Sequence, residues 1–258
     1  MGALLGIGAD QVWVEDTPGS GVPLVLLHPG ITDSTIWDRL VPLLDDRRIV
    51  RFDQLGYGRS PRATAAVRPL DQLVGVLDAL DIERAHLVGN SNGGGTSLAL
   101  GVTQPDRVAS LTLLCTAVPG YPWPEDAGDP EDEAEYERLV EAGDVDGLTD
   151  LYLRVFAAVG RDDYLVQQVR ASTELELSGA DLTERNPAVW DSVSEIDIPT
   201  SIVIGERDDP DTVRVDLALA EALPGAELVR LDVDHLPQYR DAASVAEVTL
   251  RTIARTGG

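Results

Sequence analysis

Apolar residues fall into two alternating patterns along this chain. Short unbroken blocks occur at Leu24-Val25-Leu26-Leu27, Ile49-Val50-Arg51-Phe52, Ala85-His86-Leu87-Val88, 108–116 and Thr200-Ser201-Ile202-Val203-Ile204. Blocks of this length without polar alternation predict strands covered on both faces, as in a parallel sheet. Between them lie stretches with apolar positions three and four residues apart, at 34–44, 70–80, 92–104, 211–223 and 241–253. That spacing gathers the apolar side chains on one face of a helix. Gln11-Val12-Trp13-Val14 and 226–231 add two strands, and Thr17-Pro18-Gly19-Ser20-Gly21 reads as a turn. Strands alternating with helices at this pace predict an α/β fold, a mainly parallel sheet with helices on both faces.

The beat breaks once. Between 118 and 197 no buried-strand block occurs; a Pro- and acid-rich start, Tyr121-Pro122-Trp123-Pro124-Glu125-Asp126, leads into helical spacing at 133–141, 145–158, 162–177 and 186–193. Because the sheet pattern resumes at Thr200, residues 118–197 read as a helical cap inserted into one core made of 1–117 and 198–258. A chain of 258 residues suits one large α/β domain. The insert's aromatic residues, Tyr121, Trp123, Tyr152, Phe156, Tyr164 and Trp190, either pack as core or line an acyl or ring pocket. Trp123 is the one assigned to substrate.

Charge and composition narrow the partners. The formal charge is -25 with pI near 4.2, which disfavours nucleic acid and anionic membrane surfaces, since both need clustered cations. All 20 basic residues are arginine, so Schiff-base chemistry and a P-loop lysine are excluded. Cys115 is the only cysteine; no intrachain disulfide is possible, and its apolar surroundings predict a buried structural thiol. The first residues lack the basic region and apolar length of a signal peptide, and no run has the length of a membrane span, so a cytoplasmic protein is expected. No HExxH, EF-hand or paired Cys/His spacing occurs, and no metal is expected. Gly93-Gly94-Gly95-Thr96-Ser97-Leu98 begins like a dinucleotide loop but ends in leucine.

Gly89-Asn90-Ser91-Asn92-Gly93 joins the 85–88 block directly to the 92–104 helix. A strand that turns at once into a helix through G-x-S-x-G pushes the central hydroxyl out of the backbone, and a Cβ at either glycine would collide with the turn. With this motif the sequence resembles the α/β-hydrolase superfamily. In an open parallel sheet ligands gather at the carboxyl ends of the strands, where His28-Pro29-Gly30, Asp53, Ser91, Asp208 or Asp209, and Asp234-His235 all fall.

A serine alcohol attacks only if a base takes its proton, and the chain has three histidines. His86 lies inside a strand and is expected to pack there; His28 ends a buried block and shapes that loop. His235 lies between the last strand and the last helix, where the superfamily carries its base. A carboxylate must orient that imidazole, and Gly205-Glu206-Arg207-Asp208 puts Asp208 three residues past a strand-end glycine, with Asp209 and Asp211 as close competitors. The order Ser91, Asp208, His235 is the order the superfamily uses.

The resemblance also implies an oxyanion hole made by the backbone N–H of Asn92 and one from the loop after the third strand. Pro29 stands where that loop usually has glycine and has no N–H to give, so Gly30 is the expected donor and Ile31 the alternative, with Ile31 also at the substrate. Trp37, nine residues past His28, is expected to pack. The implied function is a serine hydrolase that cleaves a carboxylic ester or lactone of small size through an acyl-serine intermediate without a cofactor. Gly-Asn-Ser-x-Gly-Gly also resembles the elbow of carbon-carbon bond hydrolases, and the stretch from His28 to Trp37 that of enol-lactonases. Cofactor-free haloperoxidase activity and a non-catalytic ligand-binding member of the fold are the readings from other classes.

Overall fold

The computed structural model describes residues 2–44, 46–179 and 181–257. Strands β1 (Ala3–Ile7), β2 (Asp10–Thr17), β3 (Ser20–Leu27), β4 (Arg47–Phe52), β5 (Ala85–Asn90), β6 (Val108–Leu114), β7 (Thr200–Gly205) and β8 (Glu227–Leu231) form one sheet in the order β1-β2-β4-β3-β5-β6-β7-β8. β1 and β2 pair antiparallel, as do β2 and β4; every other pairing is parallel. The expected α/β architecture is what the chain adopts.

Alternate residues of the central strands feed two separate cores. Val25, Leu87 and Ile202 join α1 (Pro69–Ala79), α2 (Asn92–Thr103) and α6 (Pro210–Ala222) in one core. Leu24, Val88 and Val203 join Trp37 and α8 (Ala242–Ala254) in the other. Burial on both faces is why these strands read as unbroken apolar blocks. Among the described residues no helix is long and apolar enough to cross a membrane.

Between β6 and β7 the chain leaves the sheet for α3 (Pro130–Ala142), α4 (Val145–Phe156) and α5 (Asp163–Leu177). Each begins with an aspartate, Asp129, Asp144 or Asp162, whose carboxylate accepts a first-turn N–H. α4 and α5 pack on each other, whereas α3 buries only Leu139, against Leu148 and Leu151 of α4.

Two expected helices are corrected. The 34–44 pattern is two 3-10 turns, Ser34–Trp37 and Val41–Leu43; Pro42 removes a backbone donor and its ring opposes a continuous helix. Asp33 still caps the first turn, and Trp37 is fully buried as expected. The 186–193 pattern yields only the 3-10 turn Trp190–Glu195. Asn186, before Pro187, instead accepts from Leu70 N at 2.9 Å and donates to Thr96 Oγ1 at 2.9 Å, tying the insert to α1 and α2. β1 escaped the sequence reading because this edge strand is largely exposed and its apolar alternation is weak.

The turn from β5 into α2 depends on missing side chains. A Cβ on Gly93 would stand 2.2 Å from the Leu27 carbonyl oxygen, one on Gly89 2.3 Å from the Gly93 oxygen, and one on Gly95 2.1 Å from the Ala117 oxygen. Backbone atoms cannot step aside as a flexible side chain would. Gly93→Ala is therefore expected to lose about 1–3 kcal/mol or more in urea unfolding, whereas Gly6→Ala, with nothing within 4 Å of the new carbon, leaves the midpoint nearly unchanged.

His86 is buried in β5 with Nδ1 2.8 Å from Ser110 Oγ. Burial, then the charges of Arg47 and Arg84, push its pKa down from 6.5 to about 4. Between those values the unfolded chain takes a proton that the folded chain refuses. This residue's share of stability is thus complete above pH 6.5 and is lost as pH falls towards 4. Unfolding of His86→Gln at pH 7 and pH 4.5 is expected to show a smaller acid-induced loss than the unaltered protein.

Candidate active site

Ser91 sits between β5 and α2 with φ 53° and ψ -117°, a conformation that costs free energy for any residue with a Cβ. Its backbone is held there on both sides. Ser91 N donates to Leu114 O at 2.9 Å, and Ser91 O accepts from Gly95 N at 2.9 Å and Ala117 N at 3.1 Å.

Asp208 and His235 meet across the neighbouring rim of the sheet. His235 Nδ1 lies 2.7 Å from Asp208 Oδ2, with both side chains buried. The carboxylate accepts the Nδ1 proton, which leaves the Nε2 lone pair of a neutral ring free. Asp208 is fixed in turn by its own loop, with Oδ1 accepting from Asp209 N at 2.7 Å. A Cβ on Gly205 would come within 2.3 Å of the Asp234 oxygen, so the loops after β7 and β8 touch backbone to backbone. The two competitors have other work: Asp209 caps α6 through the N–H groups of Asp211 and Thr212, and Asp211 accepts from Gly128 N and pairs with Arg214.

Asn90 links the two halves. Its side-chain amide donates to Leu114 O and to His235 O, each at 3.0 Å, and its oxygen accepts from Gln238 Nε2 at 2.9 Å. The residue before Ser91 is therefore hydrogen-bonded to the backbone of His235. Among the described residues the Ser91 hydroxyl itself makes no hydrogen bond; such contacts are often long until a substrate closes them.

The expected oxyanion donors lie side by side. A Cβ on Gly30 would approach Asn92 Cβ to 4.0 Å, and Asn92 opens α2, where first-turn N–H groups have no intrahelical acceptor. Among the described residues neither Gly30 N nor Ile31 N donates to a protein acceptor. The loop is held from beneath: Gln54 N donates to His28 Nε2 at 2.9 Å, His28 Nδ1 faces Pro29 O at 2.8 Å, and Asn92 Nδ2 reaches Gln54 Oε1 at 3.3 Å. Burial lowers the pKa of His28, which keeps the ring neutral and able to accept from Gln54. Asp53 anchors the following loop through Ser34 N and Arg59, both at 2.9 Å.

Trp123 lies on the wall of a cavity of about 570 Å³ shared with Tyr136, Tyr152 and Phe156. The Phe156 ring is 4.8 Å from the His235 ring. Ser91 is not part of that wall, and Ile31 packs instead beside the core around Trp37. Tyr121 stacks edge-on with Trp123 and Trp190, and Tyr164 lies against Tyr239.

Cys115, with φ 44°, brings its sulfur within 4.8 Å of ligand atoms of Asp208 and His235. Burial, then the charges of Asp208 and Asp216, push the thiol well above its ordinary value. A metal there would have to strip that proton and break the Asp208–His235 bond, so the group does not suit one. Nothing in the sequence signalled that Cys115, Asn90 or Gln54 would gather here, because each arrives from a different part of the chain; Phe156 was among the insert aromatics expected to pack or to line a pocket.

A family model described as the alpha/beta hydrolase fold matches residues 23–242. The chain belongs to that family. It is 30% identical over 270 residues to a 2-hydroxy-6-oxononadienedioate/2-hydroxy-6-oxononatrienedioate hydrolase of Burkholderia vietnamiensis, covering 95% of this chain and 91% of the relative. It is 44% identical over 112 residues to a 2-hydroxymuconate semialdehyde hydrolase of Pseudomonas sp. (strain CF600), covering 40% of each. The chain thus spans less than half the length of the first curated relatives it matches. A solved structure described as an N-acyl homoserine lactone degrading enzyme superposes with a TM-score of 0.76 at 28% identity, over 96% of this chain and 99% of the other.

Within this α/β-hydrolase, Asn90→Ala strands the His235 carbonyl and the Gln238 side-chain amide, while Leu114 O keeps its bond from Ser91 N. Thermal unfolding is expected to show a loss of about 1–3 kcal/mol, and kcat for ester hydrolysis is expected to fall while KM changes little.

Proposed function

We propose that the protein is a serine hydrolase that cleaves a carboxylic ester or lactone through a covalent acyl-Ser91 intermediate. Ser91 Oγ attacks the carbonyl as His235 Nε2 takes its proton, and Asp208 holds the Nδ1 proton and stabilises the imidazolium. The backbone N–H groups of Asn92 and Gly30 meet the charge that develops on the carbonyl oxygen. His235 then returns the proton to the leaving alcohol, and water releases the acyl group by the same steps in reverse. No step calls for a cofactor. The observation that carries this reading is the buried Asp208–His235 hydrogen bond, tied through Asn90 to the strained turn at Ser91. Residues 118–197 act as a cap: Asp234, beside His235, accepts Val159 N of the insert at 3.0 Å and pairs with Arg240 at 2.7 Å.

Carbon-carbon bond hydrolysis is the second reading, favoured by the names of two relatives. Those names describe substrates bearing carboxylates, which call for a cation at the site. Arg138, Arg154, Arg161 and Arg170 of the cap are exposed and engaged by carboxylates, and no arginine lines the ring-walled cavity, although Arg154, Arg207 and Arg214 line the adjoining one that includes Asp208. The lactone-degrading neighbour and a 28%-identical 3-oxoadipate enol-lactonase of Acinetobacter baylyi support the ester and lactone reading.

A fluorophosphonate is expected to label Ser91 alone, and Ser91→Ala to lower ester turnover by roughly a million-fold while the fold persists. A folded, unlabelled Ser91, or near-normal turnover by the alanine variant, overturns the proposal. A panel of esters, lactones and vinylogous diketones separates the two readings by kcat/KM.

A further inference from the structure

The cavity beside His235 has a chemistry that hydrolysis as such does not use. Its walls carry the rings of Trp123, Tyr136, Tyr152 and Phe156. Tyr136 and Tyr152 donate their hydroxyls to the two oxygens of one carboxylate, Glu176, each at 2.8 Å. Those bonds fix both rings by their edges; Tyr136 is exposed, and Tyr152 also packs against the cluster of Leu139, Leu148 and Leu151. Donating to a carboxylate polarises each phenol, which makes its ring a somewhat better partner for a cation while the proton stays on the oxygen. Tyr152 and Phe156 meet at 6.0 Å and 54°, forming a corner.

The charged side chains that line the cavity itself are acidic, while Arg154, Arg207 and Arg214 line the adjoining space around Asp208. Asp129, Glu133, Glu137 and Asp209 line the cavity and form no ion pair among the described residues. Asp132 and Asp211, also in its wall, are paired with Arg154 and Arg214, neither of which lines it. Electron-rich ring faces bind alkylammonium groups, which are weakly hydrated and lose less on leaving water than compact ions do.

We propose that this cavity is a subsite for an organic cation, an alkylammonium group carried on the alcohol portion of the ester. Its placement rests on the hydrolase reading: His235 returns its proton to the leaving oxygen, and Phe156, against the His235 ring, begins the cavity wall. Neither Ser91 nor His235 lines the cavity, so the ammonium group is placed beyond Phe156, at the outer end of the alcohol portion. An anionic leaving group meets the same carboxylates and is disfavoured.

Binding tests the cage without turnover. Choline and its uncharged isostere 3,3-dimethylbutan-1-ol are titrated calorimetrically into Ser91→Ala protein. Choline is expected to bind about tenfold more tightly than the isostere. Tyr136→Leu and Trp123→Leu, at positions 37% and 53% exposed where truncation does not hollow the core, are expected to reduce that ratio to about two or less. Tyr136→Phe, which keeps the ring, is expected to retain most of it. Equal affinity for the two alcohols, or no saturable choline binding, overturns the cation site.

Turnover then separates the two claims. In the unaltered protein, choline butyrate is expected to exceed 3,3-dimethylbutyl butyrate in kcat/KM by about tenfold, mainly through KM. Equal kcat/KM for both esters overturns the cation site and leaves the hydrolase standing. Tight choline binding with neither ester cleaved and Ser91 left unlabelled by the fluorophosphonate overturns the hydrolase reading and leaves the cation site standing.

Discussion

Three backbone segments meet at the β5–α2 turn with no side chain between them, and the rest of the rim is positioned from that meeting. Gly93 lies against the carbonyls of Leu27 and His28, Gly89 against Gly93, and Gly95 against Ala117. The close approach lets α2 start at the end of β5, which forces Ser91 to a positive φ and presents its hydroxyl outward. It also brings the loop after β3, with Gly30, up to the first turn of α2. The strain at Ser91 persists because Leu114, Gly95 and Ala117 bond its backbone on both sides.

The second constraint is electrostatic. Asp208 sits in a buried corner with two other acidic groups, Cys115 and Asp216. Burial, with the charge of Asp208 adding to it, pushes Asp216 well above the usual carboxylate range, although Thr116 N donates to it at 3.0 Å. Cys115 is pushed up in the same way. Burial, the larger cause for both, thus keeps Cys115 and Asp216 protonated beside the Asp208–His235 pair.

Much of this was legible in the residue order. The buried strands announced themselves because sheet burial on both faces leaves no polar alternation, and the elbow because few turns need glycine at two fixed positions around a serine. The spacing of Asp208 from Gly205 singled it out from Asp209 and Asp211, and the structure brings Asp208 to His235 while giving the other two helix-capping and surface-pairing bonds. The pattern failed where proline overrides periodicity, at 34–44 and 186–193, and at β1, whose exposed edge needs little apolar signal. Asn90, Gln54 and the Tyr136–Glu176–Tyr152 bridge were out of reach for another reason. Their partners lie up to 148 residues away, and nothing local marks a hydrogen bond across that distance.

The way Asp234 is used bears on how anything enters. This carboxylate is fully buried, and it holds Arg240 and the insert's Val159 one residue from the imidazole. Lifting the 157–162 side of the insert would expose an ion pair and disturb the ring next to it. α3 has no comparable buried tether: Leu139 is its one buried residue, and Asp126 and Gly128 ahead of it are held to α6 by surface bonds to Arg214 and Asp211. The insert is thus held unequally, by buried groups beside the imidazole and by surface bonds near α3, and local opening costs less on the α3 side.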